Sequence, residues 1–197
     1  MAHSKVQLQD LFKISILSVQ LDLDIKSLET FCLKHQICND GRIKSNMGGY
    51  QSHNLDGEDK DLKPLEEEIK KYCRVMAEEH TLEQEFRSME MWLNINGYKD
   101  YNLPHNHPAS VFSGVYYIKT PPNCGNIVFD HPGLDVMAYA HSNLKFKEFN
   151  SRTAATWWQT PVENTMFIFP SWLKHCVEPN LSKDIRISIS FNCCGLI

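Results

Sequence analysis

Residues 104–108 read "PHNHP" and place His105 and His107 two apart between prolines. Neutral imidazoles are common metal ligands, and in extended backbone residues i and i+2 project to one face, so both rings could reach one ion. Nine histidines in 197 residues make a close pair easy to obtain by chance, and the pair also fits a polar kink in a loop. A third imidazole, His175, lies in "FPSWLKHCVEPN", and it is followed by the segment "RISISFN". As a strand, that segment puts Arg186, Ser188, Ser190 and Asn192 on one side and Ile187, Ile189 and Phe191 on the other. The apolar row can pack beneath other elements. The polar row must face solvent or a polar cavity, and taken alone it fits a surface arginine on a half-exposed sheet.

These residues need elements to position them. "LFKISILSVQL" predicts an early strand, and residues 26–38 predict an amphipathic helix with Leu28, Phe31, Cys32 and His35 on one side. "SNMGGYQSHNLDGED" reads as loop. The clearest helix runs from Leu62 to Glu79, with Leu65, Ile69, Cys73 and Met76 at helical spacing and acidic residues near its start, which suit the helix dipole. After Met89 short β-rich segments take over: "EMWLNING", "SGVYYIKT", "NIVFDH", "NTMFIFPSW" and "IRISISFN", separated by Pro, Gly and Asn turns. The expectation is a mainly β fold with flanking helices (α+β), a sandwich or barrel in one domain over residues 1–197, with helical and strand support in 1–88 and the β core in 89–192. "PHNHP" is expected to open the strand that continues into "SGVYYIK". Asn164 in "TPVEN" tolerates left-handed backbone where glycine would otherwise serve. Residues 134–160, ending in Trp157 and Trp158, fit no element clearly.

The order of these pieces (a His-x-His pair, a strand, a distal histidine, then Arg-x-Ser on the last strand) resembles the 2-oxoglutarate/Fe(II)-dependent oxygenases. "KSNMGGYQS", "WLNING", "HNHPASVFSGVYYIKTP", "FPSWLKHCVEPN" and "RISISFN" are similar to a branch of that superfamily found in bacteria and marine phages, over roughly residues 45–192. The resemblance implies a double-stranded β-helix, or jelly roll, holding iron at its mouth. It implies His105, His107 and His175 as metal ligands and Arg186, with Ser188 and Tyr117, as the seat of the far carboxylate of 2-oxoglutarate. Trp92 and Asn94, alternating on one strand, would line the cavity, and the "GGYQS" loop with Gly49 and Tyr50 would close over substrate. One departure stands out. Most of the superfamily carries a carboxylate where this chain has His107, completing two histidines and one carboxylate. Asp130 in "VFDHP" is the second choice, replacing His105 or His107, while His131 and His141 are read as bystanders.

The implied activity is that of a dioxygenase, an oxidoreductase coupling decarboxylation of 2-oxoglutarate to succinate with oxidation of a substrate C–H bond. Its cofactors would be Fe(II) and 2-oxoglutarate, and its partners O2 and a small-molecule or peptide substrate. Two alternatives stay open: a cupin-type metal enzyme that does not use 2-oxoglutarate, and a non-catalytic β-sandwich binding module. The first lacks a glutamate soon after the histidine pair and leaves Arg186 and Ser188 unexplained. A formal net charge of −4 with no dense basic patch gives no electrostatic reason to expect nucleic acid. The seven cysteines are odd in number and form no C-x-x-C pair, which suits free thiols in a reducing compartment. The N-terminal stretch lacks a signal-peptide core and no apolar run reaches bilayer length, so the expected location is cytoplasmic, in a cell or an infected host, without a membrane partner.

Overall fold

The computed structural model describes residues 5–56, 59–83 and 88–194. The first residues of the N-terminal stretch read above, 1–4, lie outside that set. Eleven strands are described: β1 Leu17–Gln20, β2 Asn46–Met47, β3 Tyr50–Gln51, β4 Ser88–Asn96, β5 Tyr101–His105, β6 Phe112–Lys119, β7 Ile127–Asp130, β8 Thr156–Gln159, β9 Thr165–Pro170, β10 His175–Val177 and β11 Arg186–Cys194. Three helices join them: α1 Ile25–Cys38, α2 Lys63–Glu79 and α3 Leu134–His141. The strands form a six-stranded sheet ordered β1-β9-β6-β11-β4-β3 and a five-stranded sheet ordered β2-β5-β10-β7-β8, with every pairing antiparallel. Two sheets built from strands that alternate between them make the double-stranded β-helix.

The larger sheet is apolar on its outer face and mixed on its inner face, and strand alternation produces both. Ile187, Ile189, Phe191 and Cys193 of β11 join Leu93 and Ile95 of β4, Tyr116 and Ile118 of β6, and Met166 and Ile168 of β9 in one core. That core is capped by the two long helices. α1 contributes Leu28 and Cys32, and α2 contributes Leu65, Ile69, Cys73, Met76 and Ala77. α1 begins where the Asp24 carboxylate accepts from the Lys26 and Ser27 amides at 3.1 Å each, satisfying donors that a helix start leaves open. The first turn of α2 carries Pro64, whose missing N–H costs nothing there. The intervening residues Val115 and Tyr117 of β6 and Phe167 and Phe169 of β9 point the other way. They pack with Ile127, Phe129 and Leu173 between the sheets.

Four local expectations change. "LFKISILSVQL" is a strand only from Leu17. The loop after α1 contains two short strands, β2 and β3, that extend the two sheets. Residues 134–160 hold α3 and β8, the latter paired with β7 at the edge of the smaller sheet. "PHNHP" does not open β6: His105 ends β5, and Pro108 with left-handed Ala109 (φ 66°) turns the chain before Phe112. The chain therefore passes from one sheet to the other between the histidines and "SGVYYIK".

Asn164 does adopt left-handed backbone, with φ 62°. Its side chain also ties the turn before β9 to the start of α1, accepting from Leu23 N at 3.1 Å and donating to Leu23 O at 3.0 Å, and it receives the Tyr116 hydroxyl. Asn164→Ala combines left-handed strain with lost buried hydrogen bonds and is expected to cost about 3 kcal/mol in chemical denaturation. Asn164→Gly loses the same hydrogen bonds without adding strain and is expected to cost about half as much.

Candidate metal and cosubstrate site

Between the sheets lies a cavity of about 740 Å³. From the smaller sheet, His105 of β5 and His175 of β10 are directly paired residues on neighbouring antiparallel strands, and their ring centroids lie 4.5 Å apart. His107 arrives from the loop beyond β5. Its amide donates to Ser171 O at 3.0 Å, and Ser171 N in turn donates to Val111 O at 3.0 Å, so the loop is strapped to the turn that precedes His175. The three imidazoles converge: one ligand atom from each lies within 4.8 Å of the others, and His107 Nε2 is 3.4 Å from His175 Nε2. Two nitrogens bound to one ion at roughly 2.1 Å are themselves separated by about 3–4 Å, so the cluster suits a shared cation.

Local hydrogen bonds prepare two of these rings. His105 Nδ1 lies 2.7 Å from Leu103 O and His175 Nδ1 lies 2.9 Å from Leu173 O. A carbonyl only accepts, so each Nδ1 carries the proton and each Nε2 presents its lone pair. Burial keeps all three rings neutral. It lowers His105 below its ordinary value, against a smaller opposing effect of the Leu103 carbonyl. Burial, with His105 nearby, lowers His107 to about 4. His175 falls to about 3, again chiefly from burial. Neutral imidazole is the metal-binding form.

Across the cavity, the polar row of β11 faces inward. Arg186 is only 1% exposed. Its Nη1 donates to the carbonyls of Cys124 and Glu178, the latter at 3.3 Å, while Nη2 is buried without a partner. Burial pulls this guanidinium below its ordinary value, with Tyr117 the largest opposing influence. Burial raises the Tyr117 phenol, so it stays protonated and able to donate. Ser188 pairs with Tyr117 across β11 and β6, and both line the cavity with Arg186. An unpaired, dry guanidinium nitrogen facing a cavity is a costly arrangement unless an anion answers it.

Trp92 and Asn94 of β4 also line the cavity. The Trp92 ring lies 5.7 Å from that of His107, and Asn94 Nδ2 donates to Ser190 Oγ at 3.0 Å. Gly49 and Tyr50 do not line it. Tyr50 packs towards the helix-capped core, and a side chain at Gly49 would meet Ile95 O at 2.7 Å, so this glycine lets the backbone approach β4. Strand alternation instead turns the next residue, Gln51, into the cavity. Asp130 stands apart from the imidazoles. Its carboxylate lies 3.6 Å from Lys174 Nζ, and it borders surface clefts outside the cavity. His131 and His141 are likewise outside the cluster. Among the lining residues, Gln51 was named in the sequence only as part of the "GGYQS" loop, and Asn96 and Arg42 were not named. Asn96 was accessible to the same alternation that selected Trp92 and Asn94. Arg42 carried no such signal, because its approach depends on the pairing of a two-residue strand.

With this geometry in place, comparison with known proteins is informative. Residues 90–192 match a family model described as 2OG-Fe(II) oxygenase, just over half the chain. The chain belongs to that family and is a 2-oxoglutarate-dependent oxygenase that uses Fe(II) and 2-oxoglutarate. No curated protein matches it in sequence. Solved structures similar to it include a prolyl-4-hydroxylase of Pseudomonas putida, at TM-score 0.66 and 14% identity over 92% of this chain and 91% of that one. HygX of Streptomyces hygroscopicus, crystallised with nickel and 2-oxoglutarate, gives TM-score 0.59 and 10% identity over 91% and 82%. The viral collagen prolyl hydroxylase of Paramecium bursaria Chlorella virus-1, in complex with 2-oxoglutarate, gives 0.57 and 13% over 90% and 94%. At such identities the likeness establishes the jelly-roll fold.

The depressed imidazoles carry a pH consequence. In the folded, metal-stripped chain His107 and His175 remain neutral down to about 4 and about 3, whereas unfolded imidazoles take up protons near 6.5. The unfolded state then binds more protons, so stability falls as pH drops through that window. Thermal melting in chelator is expected to decline from pH 7 to 4.5, and His107→Asn is expected to flatten the decline.

Proposed function

We propose that His105, His107 and His175 hold the ferrous ion, that Arg186, with Ser188 and Tyr117, holds the far carboxylate of 2-oxoglutarate, and that the chain hydroxylates a C–H bond of a small molecule or peptide. The observation that carries this reading is the buried, unpartnered Arg186 Nη2 in the same cavity as three convergent neutral imidazoles. Both halves of the site fit their groups: three imidazoles with ligand atoms within 4.8 Å of one another for a cation, and a dry guanidinium with an unpartnered nitrogen for a carboxylate. When bound, iron and 2-oxoglutarate supply activation of O2, with release of succinate and CO2.

The protein's own part is positioning and exclusion. The Nδ1 bonds to Leu103 and Leu173 fix the tautomers of two ligand rings, and the strap through Ser171 holds the backbone that carries the third. Arg186 and the protonated Tyr117 orient the cosubstrate by one end. Phe169, whose ring meets that of His175 at 4.7 Å, and Trp92 shield the imidazoles from water. His107 in place of a carboxylate leaves the protein ligand set uncharged, so the ion's positive charge is balanced by the dianionic cosubstrate rather than by the chain. Asp130, paired with Lys174, is not used. We also place residues 1–197 as one domain. The seven cysteines are free, which supports a reducing, cytoplasmic setting, and no described helix is long and apolar enough to cross a membrane. A net charge of −4 gives no electrostatic reason to expect nucleic acid.

Anaerobic addition of Fe(II) and 2-oxoglutarate is expected to produce the visible charge-transfer band of the chelate. His175→Ala should abolish it. Arg186→Lys should keep iron but weaken 2-oxoglutarate about 10- to 100-fold, the equivalent of a charge-assisted bond. His107→Asp should preserve the band, whereas His107→Ala should weaken it. A folded wild-type protein that binds iron without any such band would instead support metal chemistry without 2-oxoglutarate.

A further inference from the structure

The cavity is also lined by polar groups outside the imidazoles and Arg186. Arg42 and Gln51 are adjacent there: Arg42 N donates to Gln51 O at 2.7 Å, and both side chains line the cavity. Gln51 is only 4% exposed, yet its Oε1 has no hydrogen-bond partner. Arg42 Nε is likewise buried and unpartnered, while Nη2 donates to Asn54 Oδ1 at 3.2 Å, which holds the guanidinium in place. A donor on a cation and an amide oxygen beside it, both dry and both unanswered, describe a ligand with complementary groups. Such unmet groups persist where something else completes them.

The charges narrow the ligand further. Apart from Arg186, the charged side chains lining the cavity are Arg42, Lys44 and Glu90. Lys44 is exposed at the rim, and Glu90 Oε2 accepts from Asn192 Nδ2 at 3.4 Å at the far end of β11. Two positive groups and one negative group leave a single excess positive charge. That matches a monoanion better than a phosphate dianion. A guanidinium suits a planar carboxylate, and Gln51 Oε1 suits an N–H or O–H on the neighbouring carbon.

We infer that Arg42 and Gln51 form the substrate subsite, which seats the carboxylate and adjacent N–H of an amino-acid unit, either free or at a peptide carboxy-terminus. This deepens the proposed function and rests on it. Arg42 anchors the acid group at the edge of the larger sheet, and Gln51, opposite Asn94 on β4, fixes the N–H, leaving the side chain to extend past Trp92 towards the imidazoles.

The test uses the full chain loaded with Ni(II) and 2-oxoglutarate, and calorimetric titration with matched pairs. N-acetyl amino acids are compared with their carboxamides, free L-amino acids with their amides, and nucleoside monophosphates with nucleosides. The acids are expected to bind at least tenfold tighter than the amides, and the better of the free and acetylated series identifies the source. Arg42→Gln should remove that preference. Gln51→Glu, nearly isosteric, should weaken the acids at least tenfold by placing a like charge beside them. Circular dichroism confirms that each variant is folded. The Fe(II)–2-oxoglutarate band should remain in both variants, since neither touches Arg186 or the imidazoles. Equal binding of acids and amides, no binding by any acid, tighter binding of nucleotides, or an unchanged preference in Arg42→Gln overturns the inference while leaving the iron reading intact. Loss of the band in wild type overturns the iron reading itself.

Discussion

A guanidinium sealed inside a protein, with one nitrogen left unmatched, is costly to keep. Arg186 is that group, and the architecture around it holds it dry and fixed beside the cavity. β11 does this by being two-faced. Its isoleucines and phenylalanine lock into the helix-capped core, so the strand cannot shift register without exposing them. The same alternation then holds Arg186 and Ser188 towards the interior. Two carbonyls, from Cys124 and Glu178, fix one guanidinium nitrogen and leave the other for a ligand.

The imidazoles solve the opposite problem. They must approach one another without a carboxylate to draw them together, and mutual proximity disfavours their charged forms. Strand pairing accomplishes it for His105 and His175, which are cross-strand partners. A strap of main-chain hydrogen bonds accomplishes it for His107. Burial keeps the rings unprotonated, so the cluster is held by backbone geometry and is ready for a cation rather than assembled by one. In this family a carboxylate commonly shares the task of neutralising iron. The three imidazoles that converge here are neutral donors without a carboxylate among them.

Much of this was legible in the chain, for identifiable reasons. The period-two pattern of "RISISFN" assigned each β11 side chain to a face, because a strand has only two. The helical spacing of Leu65, Ile69, Cys73 and Met76 marked α2 in the same way. Asn164 announced its own backbone. Other features had no local signal. The break between β5 and β6 depends on which sheet each strand joins, and the run from "PHNHP" to "SGVYYIK" reads equally well as continuous. Tyr50 and Gln51 occupy opposite faces of a two-residue strand, and nothing local to "GGYQS" marks which of the two faces the cavity. α3 and β8 escaped because exposed apolar residues such as Tyr139 and Trp158 carry no clear period.

β3 pairs with β4 through only two residues, at the border of its sheet, whereas β11 is gripped on both flanks along most of its length. The two strands therefore differ in how much architecture is staked on them. Remodelling the border segment leaves the central strands and their helical backing in place, while altering the middle of β11 disturbs everything at once.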